Sequence, residues 1–363
     1  MTGKVAVVAA GGTGGHLFPA QALAETLTAR GWRVVLATDE RGAQYAGHFP
    51  ADERLALDAA TARGGDPIGM AKAAFKIGGG ILQARKAYTR LDPAVVVGFG
   101  GYPSVPALLA AVSQGRPTVI HEQNAVLGRS NRLLSRWANK VAAAFPTLEG
   151  APEPVRQRVE VVGNPVRAEI QALTDRVFDL KPTDRIHILI TGGSQGARIL
   201  SETAPLAIAS LSEDWQDRIH VHQQSRPELL QSANDIYIDA AIQAEVAPFF
   251  RDMAGRLGQA HLMIGRAGAS TCSELAVAGV PSILIPLKIA TDDHQRLNAK
   301  SLVDAGAAMT ILEDDLTVDR LADAVRSMIE DADALKRRAA AARSVAIPDA
   351  ASRLADLVEG VAN

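Results

Sequence analysis

Short apolar runs recur along the chain, and several of them end in glycine. Lys4–Ala10 is the first, and its unbroken apolar pattern predicts a strand buried on both faces. Pro19–Arg30 follows, with Ala20, Leu23, Ala24 and Leu27 on one side at helical spacing. Arg33–Ala37, Ala94–Val97, Thr118–His121 and Lys140–Ala144 give further strands, separated by helical patterns. Strands alternating with helices predict right-handed crossovers and a parallel sheet covered on both faces.

The pattern begins again halfway along the chain. VAVVAAGGTGGHLFPAQALAETL, from Val5, is echoed by IHILITGGSQGARILSETAPLAI, from Ile186. VVVGFGGYPSVPALLAAV, from Val95, is echoed by LMIGRAGASTCSELAVAG, from Leu262. Each echo is an apolar strand, a glycine loop and a helix. The fold class this predicts is α/β, with two doubly wound, Rossmann-like parallel-sheet domains. Val162-Gly163-Asn164-Pro165 punctuates the pattern, which sets domains at 1–162 and 163–340, with a helical tail at 341–363 interrupted by Pro348.

Ala94–Gly115 holds 22 residues without a charge, long enough to span a bilayer. Its centre carries Gly98, Gly100, Gly101, Pro103 and Pro106, which break a lipid-facing helix, so a strand, loop and helix are expected and no transmembrane segment. The run Val5–Ala10 is too short for a signal-peptide core. Lys and Arg number 38 against 40 Asp and Glu, a balance unsuited to a general nucleic-acid binder. The single cysteine, Cys272, excludes an internal disulfide and any multi-cysteine metal site.

The chain has 31 glycines, and their clustering is what carries meaning. Gly11–Gly15, Gly98–Gly101, Gly192–Gly196 and Gly265–Gly268 each follow a predicted strand and precede a helix. Such loops present free backbone N–H groups and a positive helix end to an anion, and glycine lets a phosphate approach closely. Four in matching positions point to a phosphate-bearing ligand. No lysine follows in the P-loop position. Leu17 occupies the third glycine position of a dinucleotide fingerprint, although Asp39 mimics its ribose-binding acid. An NAD(P) oxidoreductase therefore stays as an alternative.

His16 opens the helix after the first loop, where a positive helix end favours neutral imidazole. It is either a general base or a packing residue. His121-Glu122-Gln123-Asn124 places four polar side chains at a strand end, the pattern of a cleft rim. Arg167 follows the linker and is either an ordinary surface arginine, the reading favoured for a lone arginine, or a phosphate contact. Ala269-Ser270-Thr271-Cys272-Ser273-Glu274 starts another helix. Glu274 either accepts two hydrogen bonds from a ribose diol or closes a capping box. Asp292-Asp293-His294-Gln295 suits sugar hydroxyls. Asp331-Ala332-Asp333 has the form of a metal–diphosphate motif but lies in a charged helical tail, so helix N-termini and Arg167 are left to neutralise a diphosphate.

Taken together these segments resemble the MurG family of bacterial cell-wall glycosyltransferases. GGTGGHLFPA, GFGGYPSVP, HEQNAVLGRSNRLL, VGNPVR, GGSQGA, RAGASTCSE, PSILIPL and DDHQRLNA carry the likeness, in order, between about Val5 and Ala308. The resemblance implies a GT-B fold with a cleft between its two domains. It implies inverting transfer of GlcNAc from UDP-GlcNAc to the C4 hydroxyl of MurNAc in lipid I, giving lipid II, with no cofactor and no metal. The N-terminal domain would take the acceptor and face the membrane. The C-terminal domain would bind UDP-GlcNAc, and the tail would pack back on the first domain. Donor contacts would fall at Thr13, Gly14, Gly15, Asn124, Arg167, Ser194, Phe250, Ala269, Ser270, Thr271, Cys272, Ser273, Glu274 and Gln295. Acceptor contacts would fall at Gly100, Gly101, Tyr102, Ser104, His121 and Glu122, with His16 as catalytic base. Ser225-Arg226 and Gln259-Ala260-His261 depart from the family pattern. A UDP-GlcNAc epimerase shares the fold, and a non-catalytic nucleotide-sugar-binding protein is a further alternative.

The acceptor's polyprenyl tail implies peripheral attachment to the cytoplasmic face of an anionic membrane, with other cell-wall synthesis proteins as further partners. Ile68, Phe75, Ile77 and Ile81, together with Met70 and Leu82, alternate with Lys72, Lys76, Arg85 and Lys86. This is either an interfacial patch or an amphipathic helix facing the core. Gly78–Gly80 predicts a loop within it.

Overall fold

The computed structural model describes residues 3–11, 14–39, 49–60, 67–181, 184–193 and 196–363. The chain divides into two units, 1–167 with 348–363 and 168–347. The division falls after Arg167, and the chain returns to the first unit at Pro348, four residues past the end of helix Ala332–Ser344.

The first unit holds a seven-stranded, wholly parallel sheet. Its strands are β1 (Val5–Ala9), β2 (Arg33–Thr38), β3 (Glu53–Ala56), β4 (Val95–Gly98), β5 (Thr118–Glu122), β6 (Lys140–Ala143) and β7 (Val159–Val161), in the order β3-β2-β1-β4-β5-β6-β7. The order reverses between β1 and β4. The apolar runs of β1 and β4 are buried throughout because helices cover both faces.

The second unit holds six parallel strands: β8 (Ile186–Thr191), β9 (Ile219–Gln224), β10 (Gln243–Ala247), β11 (Leu262–Gly265), β12 (Ser282–Leu284) and β13 (Ala308–Thr310). Their order is β10-β9-β8-β11-β12-β13, with the reversal between β8 and β11. The internal repeat in the sequence thus gives two sheets with the same switch point.

Helix Ala350–Val361 belongs to the first unit. Leu354, Ala355 and Val358 are fully buried in its core. Arg30 pairs with Asp356 and Glu359, and Trp32 Nε1 donates to Glu359 at 2.8 Å.

Two local expectations change. The first helix is Gly14–Ala29, so Pro19 lies inside it rather than at its start. The residue four before Pro19 is Gly15, which has no side chain to add to the crowding there. No loop interrupts Gly78–Gly80, because Pro67–Leu91 is one continuous helix. A Cβ on Gly80 would lie 2.0 Å from the carbonyl oxygen of Asp58 and 3.0 Å from Pro106 Cβ. The glycine there brings helix and loop backbone into contact instead of ending the helix.

That helix also separates the patch residues. Ala73, Ala84 and Tyr88 are buried, and Ile77 and Ile81 pack against the core, so those two isoleucines leave the proposed patch. Ile68, Phe75 and Leu82 are 70%, 85% and 69% exposed. They recur every seven residues on the outer face, where Lys72 and Lys86 share their stripe and Lys76 flanks it. No helix among the described residues is long and apolar enough to cross a membrane.

Candidate active site

All four glycine loops leave the carboxyl ends of the strands that flank the two switch points. Those of β1 and β4 serve the first unit, and those of β8 and β11 the second. Open parallel sheets bind ligands at this position, where neighbouring loops diverge.

In the first unit the two loops meet around His16. A Cβ on Gly101 would lie 3.8 Å from His16 Cε1 and 3.7 Å from the Gly11 carbonyl oxygen, and Gly101 has φ +72°. The positive φ is what requires glycine here, and a Cβ would make only ordinary van der Waals contact with the imidazole. The Ser104 hydroxyl is shared between the carbonyls of Ala9, at 3.0 Å, and Gly100, at 2.7 Å, which ties the two strand ends together. Ser104 is fully buried, so its hydroxyl serves the loop and not a ligand surface. Tyr102 donates its hydroxyl to Asp39, which gives Asp39 a structural role in holding the second loop. His16 is half-buried, and desolvation holds its pKa down at about 4. It is therefore neutral at pH 7.

The HEQN segment is not a rim. His121, Glu122 and Gln123 are 0%, 2% and 3% exposed. His121 donates from Nε2 to the Gly163 carbonyl. Glu122 accepts from Asn124 N and Nδ2, Gly128 N and Asn131 Nδ2, at 2.8–3.1 Å. Burial pushes its carboxyl above the usual range, and these four donors oppose the shift. The carboxylate shapes the 124–131 loop from inside and leaves Asn124, half-buried, at its surface. Gln123 Nε2 donates to the Phe99 carbonyl at 2.7 Å. Gln123, expected at the rim, and Asn131, not anticipated, both shape the site from inside, since nothing in their spacing reveals which polar side chains turn inward. Arg167 sits over the ring of Phe18 at 5.1 Å, which draws the arginine to the helix that carries His16. Thr13 lies outside the described residues, and Gly14 and Gly15 open the helix.

In the second unit, helix Ala269–Ala278 starts at Gly268 with no side-chain cap. Thr271 is inside the helix, so Glu274 is not the partner of a capping box. The first intrahelical bond runs from Cys272 N to the Gly268 carbonyl, leaving the N–H groups of Ala269, Ser270 and Thr271 without a helical acceptor. Ser270 Oγ is buried and makes no hydrogen bond. Ser273 Oγ is spent on the Ala269 carbonyl at 3.0 Å. Cys272 is buried with its thiol pushed up to about 12, so its side chain belongs to the core. Glu274 is half-buried one turn further along. Gln295 accepts from Leu287 N at 2.9 Å, and Asn298 donates to the Ala267 carbonyl at 3.2 Å, which sets the loops beside that helix.

Gln224 organises the GGSQGA loop and was not anticipated. It accepts from Thr191 Oγ1 at 2.7 Å and Gly192 N at 3.2 Å, and donates to the Gly193 carbonyl at 3.0 Å. Ser194 lies outside the described residues. Phe250 is buried beneath the Arg256 guanidinium at 3.8 Å. Asp331 caps helix Ala332–Ser344 by accepting from Asp333 N at 2.8 Å, which accounts for the Asp-x-Asp pattern without a ligand. His294 donates from Nδ1 to the Thr291 carbonyl, and Asp293 pairs with Arg296.

Two doubly wound parallel sheets with glycine loops at both switch points place the chain in the GT-B fold class. The chain matches the glycosyltransferase family 28 N-terminal domain over residues 6–143 and its C-terminal domain over 187–354. It is 62% identical over 359 residues to the UDP-N-acetylglucosamine–N-acetylmuramyl-(pentapeptide) pyrophosphoryl-undecaprenol N-acetylglucosamine transferase of Caulobacter vibrioides, covering 99% of each chain. It is 58% identical over 360 residues to the transferase of the same name from Phenylobacterium zucineum, again covering 99% of each. The crystal structure of Acinetobacter baumannii MurG superposes with a TM-score of 0.81 at 33% identity, over 99% of both chains. The chain belongs to the MurG family of family 28 glycosyltransferases.

Proposed function

We propose that this chain transfers N-acetylglucosamine from UDP-GlcNAc to the C4 hydroxyl of MurNAc in lipid I, forming lipid II for peptidoglycan synthesis. The acceptor oxygen attacks the anomeric carbon as the bond to the UDP diphosphate breaks. The configuration inverts, the diphosphate leaves with the electron pair, and His16 takes the hydroxyl proton. The observation that carries this reading is the neutral His16 imidazole held where the Gly11 and Gly101 loops meet, in a chain so close to its relatives over its full length. A diphosphate bound beside His16 would raise its basicity, because a nearby anion favours the protonated form.

Donor contacts are assigned to Thr13, Gly14, Gly15, Asn124, Arg167, Ser194, Gln295 and the Phe250 backbone. The free N–H groups of Ala269–Thr271 and the Ser270 hydroxyl suit the donor diphosphate, and Glu274 suits the ribose diol. Gly100, Gly101 and Tyr102 face the acceptor, while His121, Glu122 and Ser104 support their loops from inside. Helix N-termini and Arg167 neutralise the leaving group, so the reaction needs no metal. The exposed Ile68–Phe75–Leu82 stripe with Lys72, Lys76 and Lys86 seats the first unit on the cytoplasmic face of an anionic membrane.

An oxidoreductase reading gives neither Glu274 nor Gln295 a ligand contact. UDP release from UDP-GlcNAc, followed in EDTA with and without a lipid I analogue, tests the proposal. Release that requires the acceptor and survives EDTA is expected. Release independent of acceptor would indicate an epimerase, and none at all a binding protein.

A further inference from the structure

The second unit carries an array of imidazoles for which the transfer reaction has no use. His187 is the second residue of β8 and pairs in register with His220 on β9. His222 lies two residues further along β9. His261 directly precedes β11 and is level with His187, since Leu262 pairs with Ile188. Register partners and residues two apart share one face of a parallel sheet. Four of the chain's eight histidines therefore stand together on one face, toward the end of the strands opposite the glycine loops. Ring centroids are 5.0 Å apart for His187 and His220, 4.5 Å for His220 and His222, and 5.7 Å for His187 and His261.

Hydrogen bonding separates these rings. His261 Nδ1 accepts from His187 N–H at 3.0 Å, so its proton is on Nε2 and it has no lone pair left to offer. The other three each present a ring nitrogen within 4.8 Å of the others, and they are half-buried or buried. His187 Nδ1 and His222 Nε2 are buried and make no hydrogen bond, which is uncommon for ring nitrogens in a folded interior. Glu245, the register partner of His222, sets Oε2 3.3 Å from His222 Nδ1. Arg256 holds that carboxylate with bonds of 2.6 and 2.8 Å. A carboxylate behind an imidazole is the arrangement that orients metal-ligating histidines.

We propose that His187, His220 and His222 bind a divalent transition-metal ion of the Zn²⁺ type, clipping β8 to β9. His187 ligates through Nδ1. His222 ligates through Nε2 while its Nδ1–H donates to Glu245. Arg256 Nη1 donates to that nitrogen at 2.7 Å, which puts the ring proton on Nε2; binding the ion shifts the proton to Nδ1, and Arg256 then keeps Glu245 through Nη2. Nitrogens about 2.0–2.1 Å from Zn²⁺ stand roughly 3.4 Å apart in a tetrahedron, so the rings close by about an ångström through side-chain rotation. Half-exposed His187 and His220 leave a fourth position to solvent. Three imidazoles select Zn²⁺, Ni²⁺ or Cu²⁺ over Mg²⁺ and Ca²⁺.

The test uses the full chain without an affinity histidine tag, stripped with EDTA and desalted, then titrated with Co²⁺ and Zn²⁺. One Co²⁺ per chain is expected, with visible d–d absorption that Zn²⁺ displaces. Saturating Zn²⁺ raises Tm by roughly 5–10 °C. His187→Gln and His220→Gln each weaken binding about tenfold or more, while His261→Gln and His294→Gln stay within about twofold. Absence of a saturable Co²⁺ spectrum, or wild-type affinity in either cluster variant with native circular dichroism, would overturn the site. Acceptor-dependent UDP release is unchanged by the ion, so this outcome is independent of the proposed transfer activity.

Discussion

His121 donates from Nε2 to the Gly163 carbonyl at 3.0 Å, joining the end of β5 to the turn that follows β7. Burial holds its pKa down at about 4, against about 6.5 in an unfolded chain. Between those values the unfolded chain takes up a proton that the folded chain refuses. Stability therefore falls as pH drops from 6.5 to 4, and this contribution is flat outside that window. A gap of this size corresponds to about 3 kcal/mol. His121→Gln keeps an amide donor for Gly163 and cannot titrate. Urea unfolding across the window should show a shallower pH dependence for the variant than for the wild type. Parallel curves would refute the assignment.

Gly80 and Gly78 sit in one helix with opposite demands. A Cβ on Gly80 meets the Asp58 carbonyl oxygen at 2.0 Å, whereas Gly78 has nothing within 4 Å. Gly80→Ala must push helix and loop apart and is expected to destabilise by about 2–3 kcal/mol. Gly78→Ala gains helix propensity and should stabilise by about 0.5–1 kcal/mol. Chemical denaturation of both variants checks the pair, and equal effects would remove the distinction.

That contrast shows what was legible in the sequence. Strand–glycine–helix repeats and their echo predicted two doubly wound units, because buried parallel strands are continuous apolar runs and switch-point loops need glycine; β3, β7, β9, β10 and β13 follow no such run and were not predicted. The three glycines at 78–80 were ambiguous, since a glycine needed for close packing and one needed for a turn are the same letter. HEQN looked like a surface because its residues are polar. It is buried because Gly128 and Asn131, in the segment that follows, and Gly163, 42 residues beyond His121, supply the partners. Gln224 escaped notice for the same reason. The histidine face becomes visible only when β11, β8 and β9 are laid side by side.

His16 is the proposed base. His16→Ala should lower kcat by about 10²–10⁴-fold while KM for UDP-GlcNAc changes little. His16 is half-buried beside glycine loops, so truncation leaves the helix intact. UDP-release kinetics with a lipid I analogue decide the matter, and a near-normal kcat would end the base assignment.

The outer stripe of helix Pro67–Leu91 offers a separable test of membrane attachment. Ile68, Phe75 and Leu82 are mostly exposed, so replacing all three with serine removes little core packing. Sedimentation with anionic vesicles should fall by at least tenfold, because each apolar side chain contributes roughly 1.5 kcal/mol or more when buried. Turnover of a short-chain soluble acceptor should persist. Undiminished vesicle binding would move the docking face elsewhere.

Glu274 offers the sharpest reading of donor recognition. The helix that carries it begins at Gly268 without a side-chain cap, so removing the carboxylate does not uncap it. Two hydrogen bonds from a ribose diol to a carboxylate, at about 1.5–3 kcal/mol each, predict that Glu274→Ala weakens UDP binding by tenfold or more. The discriminating measurement is preference rather than affinity. Wild type should bind UDP more tightly than 2′-deoxy-UDP, since the deoxy nucleotide leaves the carboxylate short of a donor. The variant should bind the two alike. A variant that keeps the preference would show that another residue recognises the ribose.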